Sequence, residues 1–270
     1  MPLVTIIIPF KSNIRYLLLA LKSVFNQSYK NLKLLIIYDN INKKDLKKIK
    51  FFLKKKKYFE KFNIQIIENK KNFGAGESRN IGIRESNSKY IAFLDSDDVW
   101  LKNKLKIQIN YMEKNKILFS HTSYNIINSS NKFVSSRNAK KKMIFQDLIT
   151  SCDIGLSTVI LRSSLLKKNK LLFPRIKTKE DFVLWLKIIK KIKIIKGIDI
   201  KLSNYRKTKG SLSSNILLSL INGYKVYKDY MNYGIIKSLF YLLMLSLNTS
   251  RKKSVNYFFN FFNKKNLIKK

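Results

Sequence analysis

The chain has one cysteine, Cys152, and one histidine, His121, among 270 residues. A single thiol cannot form an intramolecular disulfide, and a reducing cytosol is the expected setting. A single imidazole excludes zinc sites built from His and Cys, and with them Ser-His-Asp and Cys-His machinery. Acid–base chemistry therefore falls to carboxylates, and any metal must be one that accepts oxygen ligands. Carboxylates are themselves scarce, with 16 acidic residues against 56 basic ones. Long apolar runs are missing too. The best, Ser238–Leu247, is about half of what a membrane span needs. The opening residues enter a strand at Leu3 without the pattern of a signal peptide. The chain is expected to be cytoplasmic, free in the cytosol or lying at the inner face of the plasma membrane, and not to cross it.

What is present argues for a folded, basic protein. Hydrophobic residues make up 45% of the chain and aromatics 13%, too much apolar material for a disordered tail. The formal charge of +40 comes mainly from lysines spread along the whole length. They accompany abundant Asn, Ile, Phe and Tyr, as an A/T-rich coding sequence would produce. A nucleic-acid binder concentrates its cations on one face or arm, so no nucleic acid is expected. An anionic membrane and polyphosphate ligands suit this surface.

Against that background one stretch stands out: KYIAFLDSDD, Lys89–Asp98. Its apolar half reads as a strand buried on both faces. Asp95, Asp97 and Asp98 follow at the strand's end, where open α/β sheets bind ligands. Carboxylates this close raise one another's pKa unless a cation neutralises them. The pattern points to Mg2+ or Mn2+, in turn holding phosphate oxygens.

The chain around it supplies a frame. Leu3–Ile8 (ended by Pro9), Leu32–Tyr38, Asn63–Ile67 and Lys89–Leu94 read as strands. Helices are expected over Asn13–Phe25, over about Lys44–Lys57, and after the loop NKKNFGAGESRN, the last carrying Glu77, Arg79 and Arg84. Strands alternating with helices predict an α/β, doubly wound, mostly parallel sheet. Asp39 closes the second strand, so it, the Gly74–Arg79 turn and the aspartates line one sheet edge, as a metal-dependent site for a phosphorylated nucleotide. Another helix is expected over Trp100–Asn115. A less regular region, Lys116–Tyr205, follows, with short strands at Ile117–Tyr124, Leu156–Leu161 and Ile192–Ile195. It also holds a helix after Phe145 and the helix FVLWLKIIKK, with Glu180 and Asp181 at its start. Helical segments at Asn215–Tyr230 and Ile235–Leu247 precede a basic, aromatic tail. That tail, Phe258–Lys270, and the stretch Phe240–Leu247 have the composition of interfacial segments.

These motifs, in this order, resemble the inverting family 2 glycosyltransferases of the GT-A fold over almost the whole chain. VTIIIPF…LKSVFNQSYKNLKLLIIYDN is similar to the family's opening strand–helix–strand, and NFGAGESRNIGI to its Gly/Arg helix start. YIAFLDSDDVW is similar to its DxD region, KEDFVLWLKI to its acceptor-side helix, and YRKTKGSLSSN to the loop before its C-terminal helices. Within the family the nearest likeness is to bacterial surface-polysaccharide enzymes of the teichuronic acid or lipopolysaccharide type.

The resemblance implies a nucleotide-sugar-binding half, 1–115, an acceptor-binding half of the same domain, 116–210, and C-terminal helices with a tail, 211–270. It implies a nucleotide-diphosphate sugar donor, Mg2+ or Mn2+, and a glycan or lipid-linked glycan acceptor. By the same likeness Asp39 contacts the nucleotide base, by analogy the uracil of a UDP-sugar. Asp95 sits near the ribose or donor sugar, and Asp97 and Asp98 hold the metal. Arg79 adds a fixed charge beside the donor. Asp181 takes a proton from the acceptor hydroxyl, with Glu180 raising its pKa. Arg206, Lys207 and Lys209, on a loop with Gly210, close over the diphosphate. Where relatives often carry an acidic pair this chain has Tyr38-Asp39, which leaves the base contact to Asp39. Where they often carry a histidine it has Lys207-Thr208-Lys209. From the residues alone two other readings stay open: a nucleotidyltransferase acting on sugar phosphates, and a non-enzymatic basic module for a membrane or nucleic acid.

Overall fold

Apolar runs with no polar face become strands covered on both sides. The computed structural model, which describes residues 1–208 and 215–267 with side chains through Lys252, opens on four of them. These are β1 (Val4–Phe10), β2 (Leu32–Tyr38), β3 (Asn63–Glu68) and β4 (Tyr90–Phe93). They pair in parallel in the order β3-β2-β1-β4. β1 and β4 are buried at every position, whereas the edge strand β3 alternates between exposed and half-buried. Helices α1 (Ile14–Phe25), α2 (Lys44–Lys55) and α5 (Lys104–Lys114) cover one face, through Leu21, Ile49 and Ile109 against Ile6, Ile8 and Leu34. Helices α4 (Ala75–Glu85) and α8 (Glu180–Ile192) cover the other, through Ile83 and Trp185 against Ile7 and Phe93. The short helix α3 (Tyr58–Lys61) links α2 to β3.

Pro9 does not end β1; the strand runs through it to Phe10. β4 pairs with β1 only as far as Ile7, and alternate residues point to opposite neighbours. Pro9 therefore directs its missing N–H to the side where β4 has already stopped, and no ladder bond is lost.

Beyond β4 the sheet continues through shorter, mixed strands: β5 (Val99–Trp100), β6 (Phe119–Ile127), β7 (Phe133–Arg137), β8 (Lys142–Met143), β9 (Ile160–Arg162) and β10 (Ile195–Arg206). The order is β4-β9-β6-β10-β5, with β7 on β6 and β8 on β10. Helices α6 (Phe145–Ile149) and α7 (Ser163–Lys168) fill the connections. Three expectations change here. α5 starts at Lys104, not Trp100, because Val99 and Trp100 pair with β10. The expected strand Leu156–Leu161 begins with a 3-10 turn, Leu156–Thr158. The expected Ile192–Ile195 strand is instead the junction between α8 and β10, a twelve-residue strand that runs to Arg206. Two C-terminal helices, α9 (Ile216–Lys225) and α10 (Ile235–Leu267), flank a turn of π-helix, Val226–Tyr230. No helix among the described residues is long and apolar enough to cross a membrane.

Candidate active site

Parallel pairing of β3, β2, β1 and β4 sets their carboxyl ends side by side, and the acidic residues sit there. Asp39 follows β2 and is buried. Its carboxylate accepts the side-chain N–H of Asn69 and the backbone N–H groups of Phe73 and Gly74, each at 2.8 Å. These bonds fasten the turn between β3 and α4. Gly74, at φ 86° and ψ 166°, holds a conformation open essentially to glycine alone. Asn69 also donates to Ser78 in the first turn of α4.

That turn aims Arg79, which is buried. Its Nη2 donates to Asp95 and its Nη1 to Glu180, both at 2.7 Å. The guanidinium also lies 5.4 Å from the ring centre of Phe173. Burial disfavours the charge, but the carboxylates of Asp95 and Glu180 outweigh it and hold Arg79 protonated above the usual arginine range. Next along α4, Asn80 donates to the carbonyl of Phe173 and accepts its N–H. Thus α4 fastens the end of β4 to the segment leading into α8, 101 residues apart at the Arg79–Glu180 bond.

The aspartate cluster divides into two functions. Asp98 turns inward: its carboxylate accepts the Ser157 hydroxyl at 2.6 Å and the backbone N–H of Arg206 at 2.8 Å. Burial, then Asp97 and Asp95, push its pKa well above the usual carboxylate range. The Ser157 hydroxyl accepts the backbone N–H of Asp95 as well, so one side chain pins both ends of the turn. Asp97 stays half-buried, and among the described residues no hydrogen bond reaches its carboxylate from another residue. Burial and the charge of Asp95 raise its pKa to about 6. Asp95 keeps 29% of its side chain accessible.

Asp181 stands in the first turn of α8, after Lys179 at φ 67°. Burial and the neighbouring Glu180 raise its pKa to about 7, although Arg79 and the backbone N–H of Phe182 oppose them. The first turn of a helix favours an ionised carboxylate. Here desolvation wins, and the group titrates where a base working at neutral pH should.

Asp39, Arg79, Asp95, Asp97, Glu180 and Asp181 are therefore drawn to one end of the sheet through direct contacts and mutual charge effects. Arg206 does not sit on a closing loop, as the sequence suggested. It ends β10 and is buried, where it donates to the carbonyls of Asp97 and Asn128 and to the Asn131 side chain, over the ring of Tyr16. A β-strand terminus inside the sheet cannot swing as a lid. Lys207 is exposed, its N–H bonded to Ile127. Lys209, Gly210 and the tail from 268 lie outside the described residues. Ser157, Asn69, Asn80 and Phe173 were not foreseen. Asn69 and Asn80 are the two ends of the NKKNFGAGESRN loop, but Ser157 and Phe173 carry no local signal.

Among the described residues no cluster of three or more Asp, Glu, His or Cys side chains closes a metal cage. A cation that takes one or two carboxylates and completes its shell with substrate phosphates needs no such cage. The oxygen donors of Asp97 and Asp95 fit that kind of ion; burial first, and the Asp95 charge second, raise the pKa of Asp97, and a bound cation would offset both.

Comparison with known proteins bears on this geometry. Residues 5–169 match the model for glycosyl transferase family 2. The chain is 33% identical to the Escherichia coli UDP-Glc:alpha-D-GlcNAc-diphosphoundecaprenol beta-1,3-glucosyltransferase WfgD, over 94% of this chain and 96% of that one. It is 38% identical to an uncharacterised glycosyltransferase of Rickettsia conorii, over 77% of this chain. The chain spans about a third of the length of that Rickettsia protein and of the similar ones first matched, 33% here. Among solved structures, S. aureus TarS in complex with UDP-GlcNAc superposes with a TM-score of 0.67, at 19% identity, over 90% of this chain and 71% of that one. The mannosyltransferase PcManGT of Pyrobaculum calidifontis, in complex with GDP-Man and Mn2+, gives 0.67 at 12% identity, over 92% and 73%. Both share the GT-A-like fold of a curled, mostly parallel sheet.

Proposed function

Because the chain belongs to glycosyl transferase family 2, we propose that it moves a sugar, with inversion, from a uridine-diphosphate donor to a glycan carried on a lipid diphosphate, in surface-polysaccharide synthesis. The observation that carries this is Arg79, whose guanidinium joins Asp95 at the end of β4 to Glu180 beside Asp181. One buried cation ties a donor-side acid to an acceptor-side one. The acceptor class follows WfgD, whose name gives a diphosphoundecaprenol-linked sugar as its acceptor. Such an acceptor puts the chain at the cytoplasmic face of a membrane, in contact with its anionic lipids.

In this reading Asp181 takes the proton of the acceptor hydroxyl as that oxygen attacks the anomeric carbon. The new C–O bond forms on the face opposite the departing diphosphate, whose bond to carbon breaks and whose oxygen keeps the electron pair. Asp97, with Asp95 beside it, would hold Mg2+ or Mn2+, which supplies neutralisation of charge on the diphosphate when bound. Asp98 and Ser157 hold the shape of that turn. Asp39 fixes the 69–74 segment at the nucleotide side, and three donors on its carboxylate leave room for one more. Lys207 supplies a cation near the diphosphate, with Arg206 acting from beneath through the Asp97 carbonyl.

The test is transfer from a panel of UDP-sugars to a GlcNAc-diphosphate-lipid analogue in the presence of Mn2+. Release of UDP and a β-linked product, both lost with EDTA and in Asp181→Asn, is expected. An α-linked product would overturn the single inverting displacement, and release of pyrophosphate from a nucleoside triphosphate would overturn sugar transfer itself.

A further inference from the structure

The two C-terminal helices carry more apolar surface than the core uses. α10 presents Tyr241, Leu242 and Leu245 to the body of the protein, and the π-turn after α9 presents Val226 and Tyr227. On the other side Ile236, Phe240 and Leu243 stand out from α10, at 86%, 56% and 58% exposed, in one stripe at helical spacing. Ile216, Leu217 and Ile221 stand out from α9, the first two at 76% and 70%. The helices form one ridge, because Gly223 lets them close: a Cβ there would lie 2.8 Å from Leu242 of α10. At one end a shallow apolar groove is lined by Lys228, Gly234, Ile235, Ile236, Lys237 and Phe240. Between Asn215 and Lys252 the chain has one acid, Asp229, against five bases. An apolar stripe bordered by lysines is the pattern of a segment that enters the headgroup region of an anionic bilayer.

The ridge also adjoins the acceptor side of the site. The Asn222 side chain of α9 donates to Thr178 at 2.9 Å. A Cβ on Gly223 would touch the stem of Lys179 at 3.4 Å, and Lys179 is two residues from Asp181. We infer that the α9–α10 ridge is a membrane-docking surface, whose apolar side chains enter an anionic phospholipid bilayer and present Asp181 to an acceptor held in that bilayer by its lipid. The inference rests on the lipid-linked acceptor proposed above, and it names the surface that meets the lipid phase.

The test uses the full chain, without nucleotide or acceptor, in flotation with phosphatidylglycerol-rich vesicles and with pure phosphatidylcholine vesicles. The wild type floats with the anionic vesicles and far less with the neutral ones. The double variant Ile236→Glu/Phe240→Glu changes exposed side chains, so its thermal midpoint should stay at the wild-type value. Its bound fraction falls about tenfold, transfer to a lipid-embedded acceptor falls with it, and transfer to a short, water-soluble acceptor is unchanged. Equal flotation of the variant overturns the inference. So does a wild type that ignores vesicles but elutes as a dimer which the variant dissolves, since the ridge would then meet a second copy. A chain that floats through this ridge yet transfers no sugar leaves the docking surface standing and removes the enzymatic reading instead.

Discussion

Asp181 and Asp98 are both carboxyl groups whose pKa is raised, and their partners give them different work. Asp98 has a hydroxyl and a backbone N–H committed to it, so it holds a turn. Asp181 has one N–H, from the next residue, and remains able to take a proton. Its folded pKa of about 7 stands above the ordinary 3.8, so the folded chain binds a proton that the unfolded chain has already released in that range. The stability this group contributes is complete below about 3.8 and is lost as the pH rises to about 7. Asp181→Asn removes the cost, and denaturant unfolding at pH 8 should show a gain of about 1–2 kcal/mol, discounted from about 4 kcal/mol for the full shift because the group is partly exposed. Transfer should fall by about 10²–10⁴-fold in the same variant. A variant that lost both stability and activity would mark Asp181 as structural. In the wild type, activity should rise with pH along a limb centred near 7. Glu180→Gln takes away a neighbouring negative charge, so the pH–rate profile should show that limb at lower pH; an unmoved limb would take Glu180 out of this role.

Among elements, α4 governs the site because three consecutive residues on it, Ser78, Arg79 and Asn80, reach three different segments. Its distance from β1 is set at Gly82, where a Cβ would lie 2.6 Å from Cγ2 of Ile7. Gly82→Ala must push α4 off the sheet, at a cost of about 1–3 kcal/mol. Arg79 lies one turn earlier on the same face, so turnover should drop with stability in urea unfolding and transfer assays. β1, β2 and β4 were legible because strands with both faces buried need continuous apolar runs, and α1 and α2 because their apolar residues recur at helical spacing. β10 was not. Its residues Asp199, Ile200 and Lys201 are exposed and its register with β6 shifts twice, so IKGIDIKLSNYR shows neither an apolar run nor a clean alternation. The site was legible to the same degree. Asp39, Asp95, Asp97 and Asp181 stand at the ends of elements whose limits could be read. The roles of Asn69, Ser157 and Phe173 depend on contacts across 30, 59 and 93 residues, and the difference between Asp97 and Asp98 depends on which way one turn faces.

For the molecule as a whole, charge works in two directions at once. If every one of the 16 acids took one cation, 40 of the 56 bases would still be left over, so the surface repels itself. Several of the acids are already spent on the site, and exposed pairs such as Lys43–Glu68 offset little. Screening lengths fall from about 30 Å at 0.01 M salt to about 3 Å at 1 M, which covers the spacing of neighbouring lysines. Raising sodium chloride over that range should therefore raise the thermal midpoint by about 2–4 °C for each kcal/mol of repulsion removed. The attraction of the same lysines for phosphatidylglycerol is screened by the same ions, so vesicle binding should weaken as stability rises. The apolar contacts of Ile236 and Phe240 are not screened, and the binding that survives at 1 M measures their share. A midpoint that fell with salt would mean that ion pairs outweigh self-repulsion. Binding that vanished entirely at high salt would mean that lysines hold the membrane alone, with the ridge left outside it.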